Sequence, residues 1–160
     1  MIHVHEAIAY TREWIDANAR QMPGFVGAHL MGGVLAMPKD ALFPAASDLD
    51  FNIVCEGARE TKTYDIAHQG LILEYSVVDA SRYCATDDVL ANPELACNLA
   101  ADSILTDPYG LLASLHQEVR LSMPVAAGCR RAAITKSRWF ITRWKDYRRL
   151  ARRMRRHGRR

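Results

Sequence analysis

The sequence predicts an α+β domain, and three observations carry that reading. Short apolar or alternating runs of strand length fall between residues 25 and 78. Helical patterning precedes them at residues 3–21 and resumes after residue 87. At 160 residues, 49% of them hydrophobic, the chain is long enough for one sizeable core.

The elements follow in order. Ile8, Trp14, Ile15 and Ala19 give the first segment an approximate helical stripe, and Pro23-Gly24 ends it. Phe25 to Met31 is an apolar run suited to a buried strand, broken by Gly32-Gly33. Val34 to Met37 begins a helical turn that Pro38 kinks or ends, and Ala41 to Ser47 reads as loop. Leu49 to Val54 is the next strand. Thr63 to Ala67 and Leu71 to Val78 form a hairpin across His68-Gln69-Gly70. Helical pieces follow at Val89 to Ala91, Glu94 to Leu105 and Gly110 to Val119, separated by Asn92-Pro93 and Asp107-Pro108.

The organisation is a body at residues 1–121, a linker at 122–129 and a basic amphipathic helix at 130–160. The net charge of +3 conceals this division. Residues 130–160 hold 14 Lys+Arg against Asp146 alone, or +13; residues 1–129 hold 7 against 17 acids, or −10. In the tail, Phe140, Trp144, Tyr147, Ala151 and Met154 make one stripe. Three readings of it stay open: it folds back on the acidic body, it binds RNA or DNA phosphates, or it is a truncated or altered terminus.

No apolar run of membrane-spanning length occurs, and no signal-peptide pattern opens the chain. Cys55, Cys84, Cys97 and Cys129 form no metal-finger spacing, and reduced thiols in a cytoplasmic protein are expected. Trp14, Trp139 and Trp144 are read as packing residues.

The chemistry concentrates in Ser47-Asp48-Leu49-Asp50-Phe51. Side chains alternate along a strand, so Asp48 and Asp50 share a face while Leu49 points away. Such a pair can converge on Mg²⁺, which wants hard oxygen ligands. Upstream, Gly32-Gly33 lets backbone N–H groups approach a triphosphate, helped by a following helix N-terminus. Downstream, Glu74 is the one acid in the strand Leu71 to Val78 and the candidate third carboxylate, with Asp65 and Asp79 as competitors. Lys39 and Ser47 are candidates for a further phosphate contact, since the turn itself offers only backbone.

These residues resemble the nucleotidyltransferase superfamily related to DNA polymerase β. Its signature is a Gly-Gly or Gly-Ser turn, an Asp-x-Asp strand and a third acid on a later strand. Met31-Gly32-Gly33, Ser47-Asp48-Leu49-Asp50-Phe51 and Leu73-Glu74-Tyr75 match it. Asn92-Pro93-Glu94 and Leu105 to Gly110 are similar to segments of small bacterial members, including antibiotic adenylyltransferase-like proteins. The resemblance implies a short mixed sheet flanked by helices, with further helices C-terminal. It implies Mg²⁺-dependent transfer, with two ions, of a nucleoside monophosphate from an NTP, ATP in the first instance, to a hydroxyl. Asp48, Asp50 and Glu74 would be ligands, Glu74 also a candidate base, and Gly32 and Gly33 the phosphate turn. The expected acceptor is small and hydroxylated, such as an aminoglycoside-like antibiotic. The alternatives are transfer to RNA or protein, and a non-catalytic nucleotide- or nucleic-acid-binding module. A homodimer could share one acceptor cleft; no membrane partner is expected.

Overall fold

The computed structural model describes residues 2–45 and 47–123, with side chains 63–68 left undescribed. The linker and basic helix expected beyond residue 123 lie outside the described residues.

A five-stranded sheet in the order β3-β4-β2-β1-β5 organises the chain, with helices on both faces. The strands are β1 (Phe25–Leu30), β2 (Asp48–Cys55), β3 (Thr61–His68), β4 (Leu71–Asp79) and β5 (Ile104–Thr106). The helices are α1 (Val4–Trp14), α2 (Thr86–Leu90), α3 (Pro93–Ala100) and α4 (Leu111–Ser122). The sheet is mixed. β2 and β4 run parallel, while β1 is antiparallel to β2 and to β5, and β3 to β4. Short 3-10 segments occupy Gly32–Ala36 and Ala80–Tyr83. No described helix is long and apolar enough to cross a membrane.

Alternation divides the sheet into two faces. Leu49, Phe51 and Ile53 of β2 and Leu71 and Leu73 of β4 join Ala28 and Leu30 of β1 in one buried cluster. α1 covers it. Glu6 accepts a hydrogen bond from the His3 N–H at 2.6 Å, fixing the helix start. Trp14 then packs on Phe51 and Tyr75, with ring centroids 5.8 and 5.0 Å apart. A π-helical turn at Ile15–Ala19 carries the buried Ile15 and Ala19 onto the same cluster. Complete burial of a side chain such as Leu49 or Leu73 stabilises by about 1.5–3 kcal/mol.

α2, α3 and α4 bury Val89, Leu95, Leu99, Leu112 and Leu115 against Val54 and Val78 on the opposite face. α4 comes so close to β1 that a Cβ on Gly27 would lie 2.9 Å from the Leu112 side chain. On this face the side chains change character along the strands. Val54 and Val78 pack under the helices, whereas Asp48, Asp50 and Glu74 stand beyond them.

Most expected elements are present. The helix expected from Glu94 to Leu105 stops at Ala100, and Ile104–Thr106 is a strand. Helical spacing runs through this stretch because no Gly or Pro interrupts it. The open edge of β1 decides the matter, since its backbone groups need partners. Ser103 accepts the Leu30 N–H at 2.8 Å, and β5 pairs with Ala28 and His29. On the outer side, Arg12 of α1 donates to the Leu105 carbonyl at 3.1 Å and the Ile104 carbonyl at 3.3 Å.

Candidate metal centre

Parallel pairing of β2 with β4 places Asp50 in register with Glu74, and Asp48 lies two residues before Asp50 on the same face. One oxygen from each of Asp48, Asp50 and Glu74 lies within 4.8 Å of the others. Asp48 is exposed, and the other two are half-buried. Strand parity puts Asp48 and Asp50 together, and the parallel register brings in Glu74, the acid that the sequence marks as the candidate third carboxylate.

The glycine turn closes one side. Met31 donates its N–H to the Asp50 carbonyl at 2.8 Å, so the end of β1 is tied to the acid strand. Gly32 follows with φ +70°, a conformation that favours glycine. A Cβ there would lie 2.9 Å from Asp50 Oδ2. The sequence therefore needs glycine at 32 on two grounds, backbone conformation and contact with the carboxylate. Gly33 borders open space, which leaves its backbone approachable. The helix expected after the turn is only the 3-10 segment Gly32–Ala36, too short to sum a substantial dipole.

The electrostatics of the cluster are those of crowded acids. Burial, then the charges of Asp48 and Glu74, push the Asp50 carboxyl up to about 6. Lys62 of β3 opposes this and forms an ion pair with Glu74. A hard divalent cation fits this donor set. It would relieve the repulsion among three oxygen donors already close together, with Gly32 leaving Asp50 room to stand against the turn.

A cavity of about 320 Å³ lies on the acid face of the sheet, lined among others by Met31, Asn52, Lys62, Ser76, Tyr83 and Glu94 but by none of the three acids. Its floor is one row of the sheet: Lys62 pairs with Ser76, Ser76 with Asn52, and Asn52 with His29. Glu94 stands in the first turn of α3, whose start Asn92 caps by accepting from the Glu94 and Leu95 N–H groups. Its charge also raises the Asp50 pKa.

Beneath the cavity is a buried polar chain. His29 Nδ1 lies 3.0 Å from the Leu30 carbonyl, so that nitrogen carries the proton and donates. His29 Nε2 then accepts from the Tyr83 hydroxyl at 2.8 Å, and Asn52 Nδ2 approaches the same hydroxyl at 3.5 Å. Burial drives both groups toward neutrality: His29 is lowered to about 4 and Tyr83 raised to about 12.

The remaining expected site residues lie at the margins. Ser47 immediately precedes β2 and donates its N–H to the Pro44 carbonyl at 3.0 Å. Lys39 pairs with Asp102 at 3.1 Å, rather than with an acid of the cluster. The competitor Asp79 accepts from the Ser81 N–H at 2.8 Å and caps the 3-10 segment Ala80–Tyr83; these hydrogen bonds hold its carboxyl below the usual range. Sequence reasoning missed Lys62, Glu94 and Asn52 as neighbours of the site. Asn52 alone had a readable signal, because it continues the parity of Asp48 and Asp50.

No family model matches the chain, and no curated protein matches it. Among solved structures, it is similar to a nucleotidyltransferase-like protein from Exiguobacterium sibiricum 255-15, with a TM-score of 0.52 and 14% sequence identity. The match covers 71% of this chain and 38% of that one, so the chain spans well under half the length of its structural relative. At that identity the likeness concerns the fold: a short sheet flanked by helices, compatible with a nucleotidyltransferase-like architecture.

Proposed function

We propose that the chain is a polymerase β-like nucleotidyltransferase that moves a nucleoside monophosphate from an NTP to a hydroxyl of a small acceptor. The observation carrying this reading is the convergence of Asp48, Asp50 and Glu74 within 4.8 Å beside the Gly32 turn. Three carboxylates alone suit many cations. Their position against a glycine turn with an approachable backbone suits a cation that must also face phosphate.

Asp48, Asp50 and Glu74 would hold Mg²⁺. When bound, it supplies charge neutralisation at the triphosphate and lowers the pKa of the acceptor hydroxyl. The chain's own residues do the positioning. Gly32 and Gly33 offer backbone N–H groups to phosphate oxygens. Glu74 is the candidate base for the acceptor proton. The cavity on the acid face holds the acceptor, a small hydroxylated molecule such as an aminoglycoside-like antibiotic; Glu94 is the carboxylate there that could meet a cationic group, since Glu60 pairs with Arg82. ATP is the first nucleotide to try.

The test is incubation with Mg²⁺, each of the four α-labelled NTPs and a panel of aminoglycosides. Label is expected on an acceptor only when Mg²⁺ is present. Label on RNA or on protein instead would keep the chemistry and change the acceptor. NTP binding without transfer to any acceptor would favour a non-catalytic nucleotide-binding module.

A further inference from the structure

The Lys62–Glu74 pair has no place in the chemistry just described. Lys62 sits on β3 at the row of Ser76, and its side chain reaches along the face to Glu74. Glu74 is only 15% exposed, so its ion pair is shielded on one partner, while Lys62 is 52% exposed and has room to move. Lys62 also lines the cavity. Its ammonium thus faces both the third acid and a cavity that Met31, the residue before the Gly32-Gly33 phosphate turn, also lines.

Charge balance decides what this placement does. Three carboxylates with one ammonium make a site of formal charge −2; without the ammonium it is −3. A divalent ion arriving alone meets a cation already on Glu74 and must displace it or share the carboxylate. An ion arriving with a triphosphate brings Lys62 a replacement partner. Glu74 can then turn to the ion while the ammonium turns to phosphate, and each charge keeps an opposite neighbour. The glycine turn offers backbone but no cation, so this is a contact the turn does not provide.

We infer that Lys62 is an exchange cation, which competes with a free divalent ion for Glu74 and moves to the phosphates when the ion arrives as a metal–nucleotide complex. The site is thereby built for the metal–triphosphate chelate in preference to the bare ion. This rests on the proposed nucleotidyl-transfer reading. Lys62 acts on the metal through Glu74 and is a positioning residue in that respect; toward the phosphates it is a binding residue.

Calorimetric titration of the full chain tests it, with Mn²⁺ alone and with Mn²⁺ plus the α,β-methylene analogue of ATP. Lys62→Gln is expected to tighten binding of Mn²⁺ alone by about three- to tenfold, since a half-exposed cation is partly screened. The same change is expected to weaken the Mn²⁺–nucleotide complex by about tenfold, and Lys62→Arg to restore both values toward wild type. Opposite shifts are the signature, because a loss of fold would weaken both. If either shift is missing, or both run the same way, Lys62 is not an exchange cation, and Mg²⁺-dependent transfer by the wild type still stands. Wild type that binds neither Mn²⁺ nor the complex overturns the transferase reading along with it.

Discussion

The two faces of one sheet are made by the same strands and do opposite work. On the α1 face, Leu49, Phe51, Ile53 and Leu73 are at most 1% exposed and form the core. On the other face the residues between them are Asp48, Asp50, Asn52 and Glu74, open to a cavity or to solvent. A strand can do both because successive side chains point to opposite sides. Packing on one face fixes the backbone, and the fixed backbone brings together carboxylates that would otherwise repel. The acid face is tolerated because the apolar face holds it.

The largest effect is expected at Asp50. Asp50→Asn keeps the shape and removes a charge from the centre of the cluster, so the proposed transfer should fall by about 10²–10³-fold or more. Thermal unfolding of the same variant should show little loss of stability, because it removes one of three crowded negative charges. Unchanged label transfer by Asp50→Asn would remove it from the site.

Its neighbour should behave in reverse. Leu49→Ala leaves a cavity in the core and should cost about 2–5 kcal/mol of stability, read by urea denaturation. Activity per folded molecule should be retained. A large loss of stability in Asp50→Asn, or a selective loss of activity in Leu49→Ala, would mean that the two faces are not separable.

His29 sharpens the boundary between them, since it lies on the acid face yet is fully buried. Its pKa of about 4 in the fold lies below the ordinary 6.5, so below pH 6.5 the unfolded chain takes up a proton that the folded chain refuses. This contribution to stability is complete above pH 6.5 and is lost as pH falls toward 4. The total is on the order of 3 kcal/mol. Urea denaturation at pH 7.5 and pH 5 should show the decline, and His29→Gln should lessen it. An equal decline in the variant would assign the effect to other groups.

The smallest effect expected is at Gly32, where the turn meets the acids. Gly32→Ala imposes a side chain at φ +70° and 2.9 Å from Asp50 Oδ2. A stability cost of about 1–2 kcal/mol is expected from the left-handed backbone. Mn²⁺ affinity should fall as well, because Asp50 must shift. Retention of both by Gly32→Ala would show that the turn is not fitted to the acid.

What the sequence could reveal follows the same division. Asp48 and Asp50 were legible as a pair because strand parity is local, and Glu74 because one acid in an apolar run stands out. Gly32 was legible as a break in a strand, but its contact with Asp50 was not. That contact depends on β1 lying beside β2, which pairs residues more than twenty positions apart. β5 read as helix because its three residues are defined by an edge some 75 positions earlier. Lys62 was hidden by the register slip between Thr63 and Ile66, which sets which residues of β3 meet Glu74's row. Local chemistry was readable; chemistry made by pairing distant strands was not.

Asp48, Asp50 and Glu74 are together expected to form a divalent-metal centre facing a nucleotide. Crystals grown with Mn²⁺ and the α,β-methylene analogue of ATP test it most directly, through an anomalous difference map at the manganese edge. A peak among the three carboxylates, beside Gly32-Gly33, is the predicted result. Bound analogue with manganese elsewhere, or no manganese at the three acids under saturating metal, would contradict it.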